Sequence, residues 1–467
     1  MITINNIDDL SLTVIKRIID NHKTTIFPRM EKLERYYANQ NDILNRVTKD
    51  ASKPNNKIAN SYASYITDTM VGYFMGEPVT YNCDDKKLLE ELKLLFEYND
   101  EADENSELAK DASIYGVAFE ELYVDEDGVV RFKRLDPKTV IPIYDKTIER
   151  KLIATIRYYK DFDFALNQEF NIVELITDKS ITTFKGYGDS VSLEPINEIP
   201  HYFGMVPIAI FENNEDLSGD FEKVISLIDA YDKMESDTLN DQEYFTDAYL
   251  ALYGYTAESE DIAKMKENRV LLMDEGTKAE WIIKTGNDTI SENIKNRLDK
   301  DIHKFAKCPN LADEEFASNA SGIAIKFKTL GTENLVSIKE RKFKKGLQQR
   351  LELISMINSV ITDGFDWRTI NIIFTRNLPS NIADIASTVT QLSGLVSDET
   401  LLAQIPFVED VKDELDKVKK QKEENKSLSP FFQADPDGYK TKAMAGDEEE
   451  EYIRAISYLR DEDNKKK

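Results

Sequence analysis

Residues that build disulfides or zinc sites are scarce in this sequence. Its 467 residues include 2 cysteines and 3 histidines. Cys83 and Cys308 are too few for a disulfide framework, and we interpret them as ordinary thiols in a reducing cytoplasm. The histidines His22, His201 and His303 have no His or Cys neighbours at metal-ligand spacing. A zinc site is therefore not expected.

Long apolar runs are also missing. No stretch approaches the ~18 consecutive apolar residues that a membrane span requires. No signal peptide is recognised at the N-terminus. Apolar residues nevertheless make up 41% of the chain, which is ample for a folded core. At this length we expect two or three domains. These features predict a soluble, intracellular protein that has no membrane partner.

Positive charge is in short supply. Lys and Arg number 60 against 87 Asp and Glu, which gives a formal net charge of −27. Tight, nonspecific wrapping of nucleic acid requires cations that neutralise phosphates. The overall charge therefore argues against that class of protein.

Motifs for nucleotide binding and catalysis are absent. No Gly-rich stretch is followed by Lys-Ser or Lys-Thr at P-loop spacing. Residues 125–128 resemble the start of a calcium loop, but Tyr123 and Arg134 would occupy its first and last ligand positions, so an EF-hand is excluded. No spacing suggests a Ser-His-Asp triad. We predict that the protein is not an enzyme and has no catalytic residue, cofactor or metal.

Helical periodicity is strongest over residues 289–361. A first helix begins on a capping box at Thr289 and ends at Pro309, which lacks the N–H that a further turn needs. Its apolar stripe consists of Ile290, Ile294, Leu298, Ile302 and Phe305. After a loop of small residues, a second stripe predicts a helix over residues 323–361, roughly 58 Å long, with Gly331 as its bend.

The rest of the chain mixes helices and strands. Helices are predicted over residues 1–50 (two, broken near Pro28), 58–75, 104–116, 220–252, 382–394 and 398–422. Strands are predicted over residues 120–135 (a hairpin), 152–158, 171–177, 180–184, 206–211, 269–273, 279–284 and 371–374. Gly72 and Gly76 are expected to allow close helix packing. The pattern predicts an α+β, predominantly helical fold.

Two blocks of sequence resemble bacteriophage portal proteins, the ring-forming head-to-tail connectors. One is PNLADEEFASNASGIAIKFKTLG, from Pro309 to Gly331. The other combines YYANQNDILNR, from Tyr36, with NKIANSYASYITDTMVGYFMGEPVTY, from Asn56. They occur in the family's order, and the similarity extends over roughly residues 30–380. The subfamily that the blocks resemble occurs in long-tailed phages of Gram-positive bacteria.

The resemblance implies a portal fold with wing, stem, clip and crown that assembles into a ring with a central channel. It assigns residues 1–217 to N-terminal helices and an α+β wing, 218–252 to a first stem helix, 253–288 to the clip, 289–308 to a second stem helix, 309–322 to the channel loop, 323–380 to the long helix and a returning wing strand, and 381–426 to a helical crown. Residues 427–467 carry acidic and mixed-charge runs, and this composition predicts disorder.

The function implied by the resemblance is that of a portal subunit in a homododecamer at one capsid vertex. The ring would be the conduit for viral DNA during packaging and ejection. Implied partners are double-stranded DNA passing without sequence specificity, the terminase motor, the head-tail adaptor, and the major capsid and scaffolding proteins. The implied location is the virion, with assembly in the host cytoplasm. A separate terminase ATPase is consistent with the missing P-loop.

The resemblance places the channel loop at the narrowest part of the ring. Its candidate residues are Asp313, Glu314, Glu315, Phe316, Ser318, Asn319, Ser321 and Gly322. The three acids would repel phosphate, Phe316 would anchor the loop, and the small residues would move past one another. Gly322 supplies the backbone freedom to re-aim the loop.

A basic run follows the loop and is the second candidate site. It contains Lys326, Lys328, Lys339, Arg341, Lys342, Lys344, Lys345 and Arg350. Only Glu333 and Glu340 offset it, so the segment carries a net charge of +6. Three interpretations remain open: a solvated face, pairing with acids across a subunit boundary, or direct contact with packaged DNA.

The alternative hypothesis is an acidic enzyme, such as a metal-dependent nuclease or another DNA-processing enzyme. It would use clustered carboxylates such as Asp313, Glu314 and Glu315. Adjacent side chains point in different directions on most backbones, which argues against a metal cage. Size in solution separates the hypotheses, because a portal forms large rings and a nuclease of this kind would be a small, metal-dependent species.

Overall fold

A computed structural model describes residues 2–48, 53–165, 167–187, 194–246, 249–253, 276, 278–282, 288–311, 327–361, 364–377, 382–403, 405, 408 and 411–427. The chain divides into two compact units, Met1–Pro379 and Ser380–Lys467. Both helices and sheets occur in the first unit, and helices in the second. The mixed helix and sheet content expected from the sequence is therefore confirmed.

The helices of the first unit carry recognisable end signals. They are α1 (Leu12–Thr25), α2 (Phe27–Tyr37), α3 (Tyr62–Met75), α4 (Lys86–Tyr98), α5 (Glu101–Tyr115), α6 (Ile225–Thr246), α7 (Asp288–Ala306) and α8 (Leu330–Ile361). Pro28 lies in the first turn of α2, where its missing N–H needs no partner. The Asp85 carboxylate caps α4 by accepting from the N–H groups of Lys87 and Leu88. Gly116 ends α5 with a φ of 90°.

The strands of the first unit form four sheets. They are β1 (Ile2–Thr3), β2 (Thr80–Asn82), β3 (Val117–Val124), β4 (Val130–Leu135), β5 (Val140–Tyr144), β6 (Leu152–Asp163), β7 (Gln168–Ile176), β8 (Ser180–Tyr187), β9 (Glu194–Pro200), β10 (Ile208–Glu212), β11 (Tyr249–Tyr253), β12 (Lys278–Ile282) and β13 (Asn371–Ile373). The largest sheet has the order β1-β5-β6-β7-β8-β9, and the others are β10-β3-β4, β11-β12 and β13-β2.

Two hydrophobic clusters hold these elements together. The smaller one packs Ile15, Ile18 and Ile19 of α1 against the six-stranded sheet. The larger one joins α2, α3, α5 and the three-stranded sheet to α8. Phe343, at 1% exposure, and Leu347, at 0%, are centred in it. The apolar stripe predicted for the long helix is buried in this cluster at Phe343, Leu347 and Leu351, but its earlier members Leu330 and Ile338 are exposed, at 51% and 45%.

The second unit contains α9 (Ile382–Leu392), α10 (Asp398–Leu402) and α11 (Val411–Ser427). The single helix predicted over residues 398–422 is wrong, because α10 ends at Leu402 and the next described helix begins at Val411. Pro406 lies in this interval, and proline interrupts helical hydrogen bonding. The tail predicted to be disordered, from residue 428 onward, lies outside the described residues.

Several predicted elements of the first unit are confirmed. The two N-terminal helices separate next to Pro28. The β3–β4 hairpin turns at Gly128, whose φ is 78°. The strands predicted over residues 152–158, 171–177, 180–184, 206–211, 279–284 and 371–374 overlap β6, β7, β8, β10, β12 and β13. The helix predicted to begin at Thr289 corresponds to α7, but α7 begins at Asp288, so Thr289 lies within its first turn and is not the N-cap residue.

Other predictions in this unit are wrong. The helix predicted over residues 220–252 ends at Thr246, and the following residues form β11, which pairs antiparallel with β12. Helix α4 and strands β1, β2, β5 and β9 were not predicted. The predicted strand 269–273 and the predicted start of the long helix, residues 323–326, lie outside the described residues. The division into wing, stem, clip and crown stays a prediction.

Candidate functional site

Of the predicted channel loop, residues 309–322, only residues 309–311 are described. Residues 312–326 lie outside the described part of the chain, and with them Asp313, Glu314, Glu315, Phe316, Ser318, Asn319, Ser321, Gly322 and Lys326. What the structure describes is the end of α7 with residues 307–311, and the chain from residue 327 into α8. The roles predicted for the loop residues stay predictions.

The loop leaves α7 through a sharply turned segment. Lys307 has a φ of 55°, in the left-handed region that ends many helices. The Cys308 N–H donates to the carbonyl of His303 at 3.1 Å. The His303 Nδ1–H in turn donates to the Cys308 carbonyl at 3.2 Å. Both bonds tie the turn to the last turns of α7.

Tyr65 on α3 holds the segment just before the loop. Its hydroxyl donates to the Pro309 carbonyl at 3.0 Å and accepts from the Leu311 N–H at 2.8 Å. The rings of Tyr65 and His303 meet edge to face with centroids 5.4 Å apart. Tyr65 therefore fixes the point from which the loop departs.

The two helices that flank the loop are joined directly at its base. The Thr332 Oγ1 hydroxyl in the first turn of α8 donates to the Lys307 carbonyl at 2.7 Å. Burial raises the pKa of the Cys308 thiol to about 12. The thiol beside this joint is therefore protonated at neutral pH and is not a nucleophile.

The acidic middle of α6 is partly neutralised by the N-terminal segment. Asp232 is fully buried and accepts from the Asn60 N–H at 2.9 Å and from the Asn41 amide at 2.6 Å. Arg46 pairs with Asp237 at 2.6 Å. These bonds hold Asn41, Arg46 and Asn60 against the predicted first stem helix. Sequence reasoning did not find these contacts.

Lys339, in the predicted basic run, is buried within its own subunit. Its ammonium lies 2.5 Å from the Asp220 carboxylate, and both side chains are at most 3% exposed. The Ser113 hydroxyl donates to the same carboxylate at 2.6 Å. Lys339 therefore joins α8 to the end of α5 and the start of the α6 segment, and we no longer retain it as a candidate for DNA or inter-subunit contact.

Arg350 is likewise buried and ion-paired within its own subunit. Its Nε and Nη2 groups donate to the two oxygens of Glu120, each at 2.7 Å, and Nη1 donates to Glu101 at 3.1 Å. Burial opposes the charged guanidinium, but the Glu120 carboxylate outweighs it and raises the pKa of Arg350. A side chain at 0% exposure is out of reach of DNA.

The other described cations of the run have partners on the subunit surface. Lys342 pairs with Glu212 at 2.9 Å and with Glu215. Lys344 donates to the Ile372 carbonyl at 3.1 Å. Arg341 is exposed and donates to the Ser337 carbonyl one turn back, at 3.0 Å. Lys345 and Lys328 are exposed as well.

The acids of the run are also paired. Glu333 and Glu340 are held by Arg376, at 3.1 Å and 2.6 Å. Charge in the run is thus balanced mainly by residues from other segments of the same chain. The predicted contacts to DNA or to another subunit that stay predictions are those of Lys326, Lys328, Arg341, Lys342, Lys344 and Lys345.

Neither a metal site nor a membrane span is found in the described part of the chain. No group of three or more His, Cys, Asp or Glu residues there is arranged to hold a metal ion. No described helix combines the length and apolar character that crossing a bilayer demands. The carboxylates of the nuclease alternative, residues 313–315, lie outside the described residues.

A family profile and two individual relatives identify the same family. A sequence profile of the family described as "Phage portal protein, SPP1 Gp6-like" matches residues 16–428. The portal protein of Bacillus phage SPP1 is 26% identical over 442 residues, covering 88% of this chain and 86% of the relative. The portal protein of Clostridium phage phiCD119 is 27% identical over 406 residues, covering 81% of this chain and 89% of the relative.

Proposed function

The chain belongs to the SPP1 Gp6-like family of phage portal proteins, and from this premise we propose how its subunits act. Its role is that of a portal protein in the head-to-tail connector of the virion. Twelve copies form a ring at one capsid vertex. Viral DNA enters through the ring during packaging and leaves through it during ejection.

An exposed apolar row on α7 supports assembly into a ring. Ile290 is 53% exposed, Ile294 41% and Phe305 56%, all on one side of the helix. Large apolar side chains left in water along one helix mark a surface that another protein covers. A second copy of this chain is the occupant that the family membership supports. The subunit therefore leaves part of its apolar stripe to be buried by its neighbour in the ring.

The loop after α7 is the narrowest part of the channel. The described segments on either side of it are anchored, since Tyr65 holds the chain at Leu311 and Thr332 ties α8 to Lys307. A loop with a fixed base projects in a defined direction while its tip stays free to adjust. Its acids repel phosphate, and its small residues let DNA pass.

The charge of the subunit suits a conduit. Each copy carries a formal net charge of −27, so a ring wall repels the DNA backbone at most points. DNA then slides without being held, because nonspecific affinity comes from phosphate neutralisation. A separate terminase ATPase supplies the energy of packaging. The portal is structural and has no catalytic role.

The ring is also a docking platform. During assembly in the host cytoplasm it meets the terminase motor and the scaffolding and major capsid proteins. In the finished virion it meets the head-tail adaptor. Double-stranded DNA passes through it without sequence specificity.

The ring itself is tested by size in solution. Analytical ultracentrifugation at micromolar concentration should show a species near twelve times 53.6 kDa, and negative-stain images should show rings. Ile294→Asp together with Phe305→Asp should weaken the ring, whereas Leu94→Asp, at an exposed apolar position on α4, should not. Monomer alone under several salt conditions would contradict the proposal.

The loop is tested by obstructing it. Ser318→Trp should leave rings assembled but block DNA passage, because an indole at the constriction occupies the space that DNA needs. Packaging into procapsids measures this, and Ser318→Ala is the matched control. Normal packaging by assembled Ser318→Trp rings would show that the loop is not the constriction.

A further inference from the structure

We propose that a basic face of α7 contacts the phosphate backbone of the double-stranded DNA that passes through the ring, an inference that rests on the proposed conduit function. The face consists of Asn293, Asn296, Arg297, Lys300, Lys304 and Lys307. The sequence suggested DNA contact, as one of three interpretations, for the run from Lys326 to Arg350 instead. We refer to this set as the α7 basic face.

The periodicity of α7 places these side chains on one side of the helix. Asn293, Asn296, Arg297, Lys300 and Lys304 follow one another at spacings of three, one, three and four residues, which keeps these five within one face of a 3.6-residue helix. Lys307 lies directly after the helix, where its φ is 55°. Five of them line one shallow surface depression together with Asp301. The face therefore forms a continuous strip along the helix.

The cations of this face are available to a ligand. Lys300, Lys304 and Lys307 are exposed and form no ion pair with the described residues. Arg297 is 86% exposed and meets Asp301 at 3.8 Å, a loose surface pair. This differs from α8, where Lys339 and Arg350 are buried in ion pairs.

The other sides of α7 pack against its own subunit or form the exposed apolar row. Ile302 and Ala306, at 0% and 3% exposure, pack against the helix's own subunit. The exposed apolar row of Ile290, Ile294 and Phe305 lies between that buried side and the basic face. If neighbouring subunits cover the apolar row, the basic face is directed toward the channel that the ring encloses.

DNA backbone fits this face better than an acidic protein does. Four residues of helix advance about 6 Å, so Lys300 and Lys304 present charges at a spacing close to that of successive phosphates on one strand. Asn293 and Asn296 add amide donors, which commonly contact phosphate oxygens. A few cations per subunit, set in an otherwise acidic wall, make weak contacts that position the DNA without stopping its movement.

The test measures binding of linear double-stranded DNA to assembled rings. Lys300→Gln with Lys304→Gln should lower the affinity at 50 mM salt at least about tenfold and flatten the salt dependence, since each lost phosphate contact removes about 0.9 from the slope of log K against log salt. Lys300→Arg with Lys304→Arg should bind like the parent. Lys86→Gln with Lys93→Gln removes the same charge from exposed positions on α4 and should have no effect.

Two outcomes would overturn the proposal. One is intact glutamine-variant rings that bind DNA as the parent does. The other is loss of rings in the glutamine variant but not in the α4 control, which would assign these lysines to pairing between subunits. Failure of the conduit function itself looks different, because the parent protein would then form no rings or its rings would bind no DNA.

Discussion

Arg350 shows how much a single buried charge depends on its surroundings. It is among the largest fully buried side chains, with two hydrogen bonds to Glu120, one to Glu101, and its guanidinium 4.4 Å from the centre of the Phe132 ring. A buried ion pair is stable only when the geometry is good and most donors are satisfied. Here three donors find carboxylate oxygens, so α8 is joined to β3 and α5 through one side chain.

Removing the guanidinium should therefore be costly. We expect Arg350→Met to lower the free energy of unfolding by about 3–5 kcal/mol, because it leaves Glu120 buried without its partner. Denaturant titration of the subunit measures the change. Arg341→Met, at an exposed position on the same helix, should change it by less than about 0.5 kcal/mol. Equal effects of the two substitutions would contradict this account of Arg350.

His22 makes the packing of α1 on the six-stranded sheet sensitive to pH. It is 5% exposed, and its Nδ1 lies 2.9 Å from the Tyr158 hydroxyl. Burial lowers the pKa of His22 from 6.5 to about 4. The folded state therefore holds the neutral ring, while the unfolded chain takes up a proton near pH 6.5. The contribution of His22 to stability is complete above pH 6.5 and is lost as the pH falls toward 4.

The expected result is a thermal midpoint that falls between pH 7 and pH 5, with part of the fall absent in His22→Gln. Glutamine can still donate to Tyr158 but does not titrate. Scanning calorimetry of both proteins across this range measures the difference. Identical pH dependence in the two proteins would rule out a role for His22.

At the scale of elements, α8 lies so close to β10 that only glycine fits between them. A Cβ on Gly346 would lie 2.5 Å from Cδ1 of Phe211 and 2.9 Å from the Ile210 carbonyl oxygen. On α3, a Cβ on Gly72 would meet nothing within 4 Å. The close helix packing expected at Gly72 is therefore wrong. At Gly76, the other glycine of that prediction, a Cβ would lie 2.4 Å from Nδ2 of Asn377, so a close approach does occur there, although not to a helix. The close approach of a helix to a strand at Gly346 was not predicted.

Alanine substitutions at Gly346 and Gly72 should act in opposite directions. We expect Gly346→Ala to destabilise the subunit by about 1–3 kcal/mol, through overpacking against β10. Gly72→Ala should stabilise it by about 0.5–1 kcal/mol, because alanine favours the helix interior and has room. The midpoints of urea unfolding, compared at constant m-value, measure both stability changes. A stabilising Gly346→Ala would mean that α8 and β10 move apart at little cost.

Prediction from sequence succeeded where local pattern and tertiary packing agreed. The apolar stripe of α8 is buried at Phe343 and Leu347, and the β3–β4 hairpin turns at Gly128. Prediction failed where a segment distant in sequence determines the secondary structure. The stretch YLALY, from Tyr249, fits a helix by spacing, but antiparallel pairing with Lys278–Ile282 makes it a strand. Short apolar runs do not distinguish the two by themselves.

The candidate site was predicted less well than the fold, for an electrostatic reason. Clustering in sequence made the cations of α8 look like one surface. A helix, however, distributes Lys339 and Arg350 to its buried side and Arg341 and Lys345 to its exposed side. The acids that neutralise the buried pair, Asp220 and Glu120, lie more than 100 residues away in sequence. The cations of α7 were overlooked because acids are interleaved with them along the chain.

At the scale of the whole molecule, the C-terminal segment should be dispensable for assembly. Its composition, with GDEEEE and DEDNKKK runs, is too polar to bury a core. We expect deletion of residues 428–467, which begins after the end of α11, to leave the ring intact by ultracentrifugation. Dissociation of the truncated protein would identify the segment as part of a subunit interface.

The Arg350 contacts also have a consequence for synthesis on the ribosome. Arg350 and Glu120 are 230 residues apart, and translation at ~5–20 residues per second needs roughly 10–50 s to cover that distance. Until Arg350 emerges, Glu120 has no guanidinium and cannot be buried as a carboxylate at acceptable cost. The core then closes late, when α7 and most of α8 have been made.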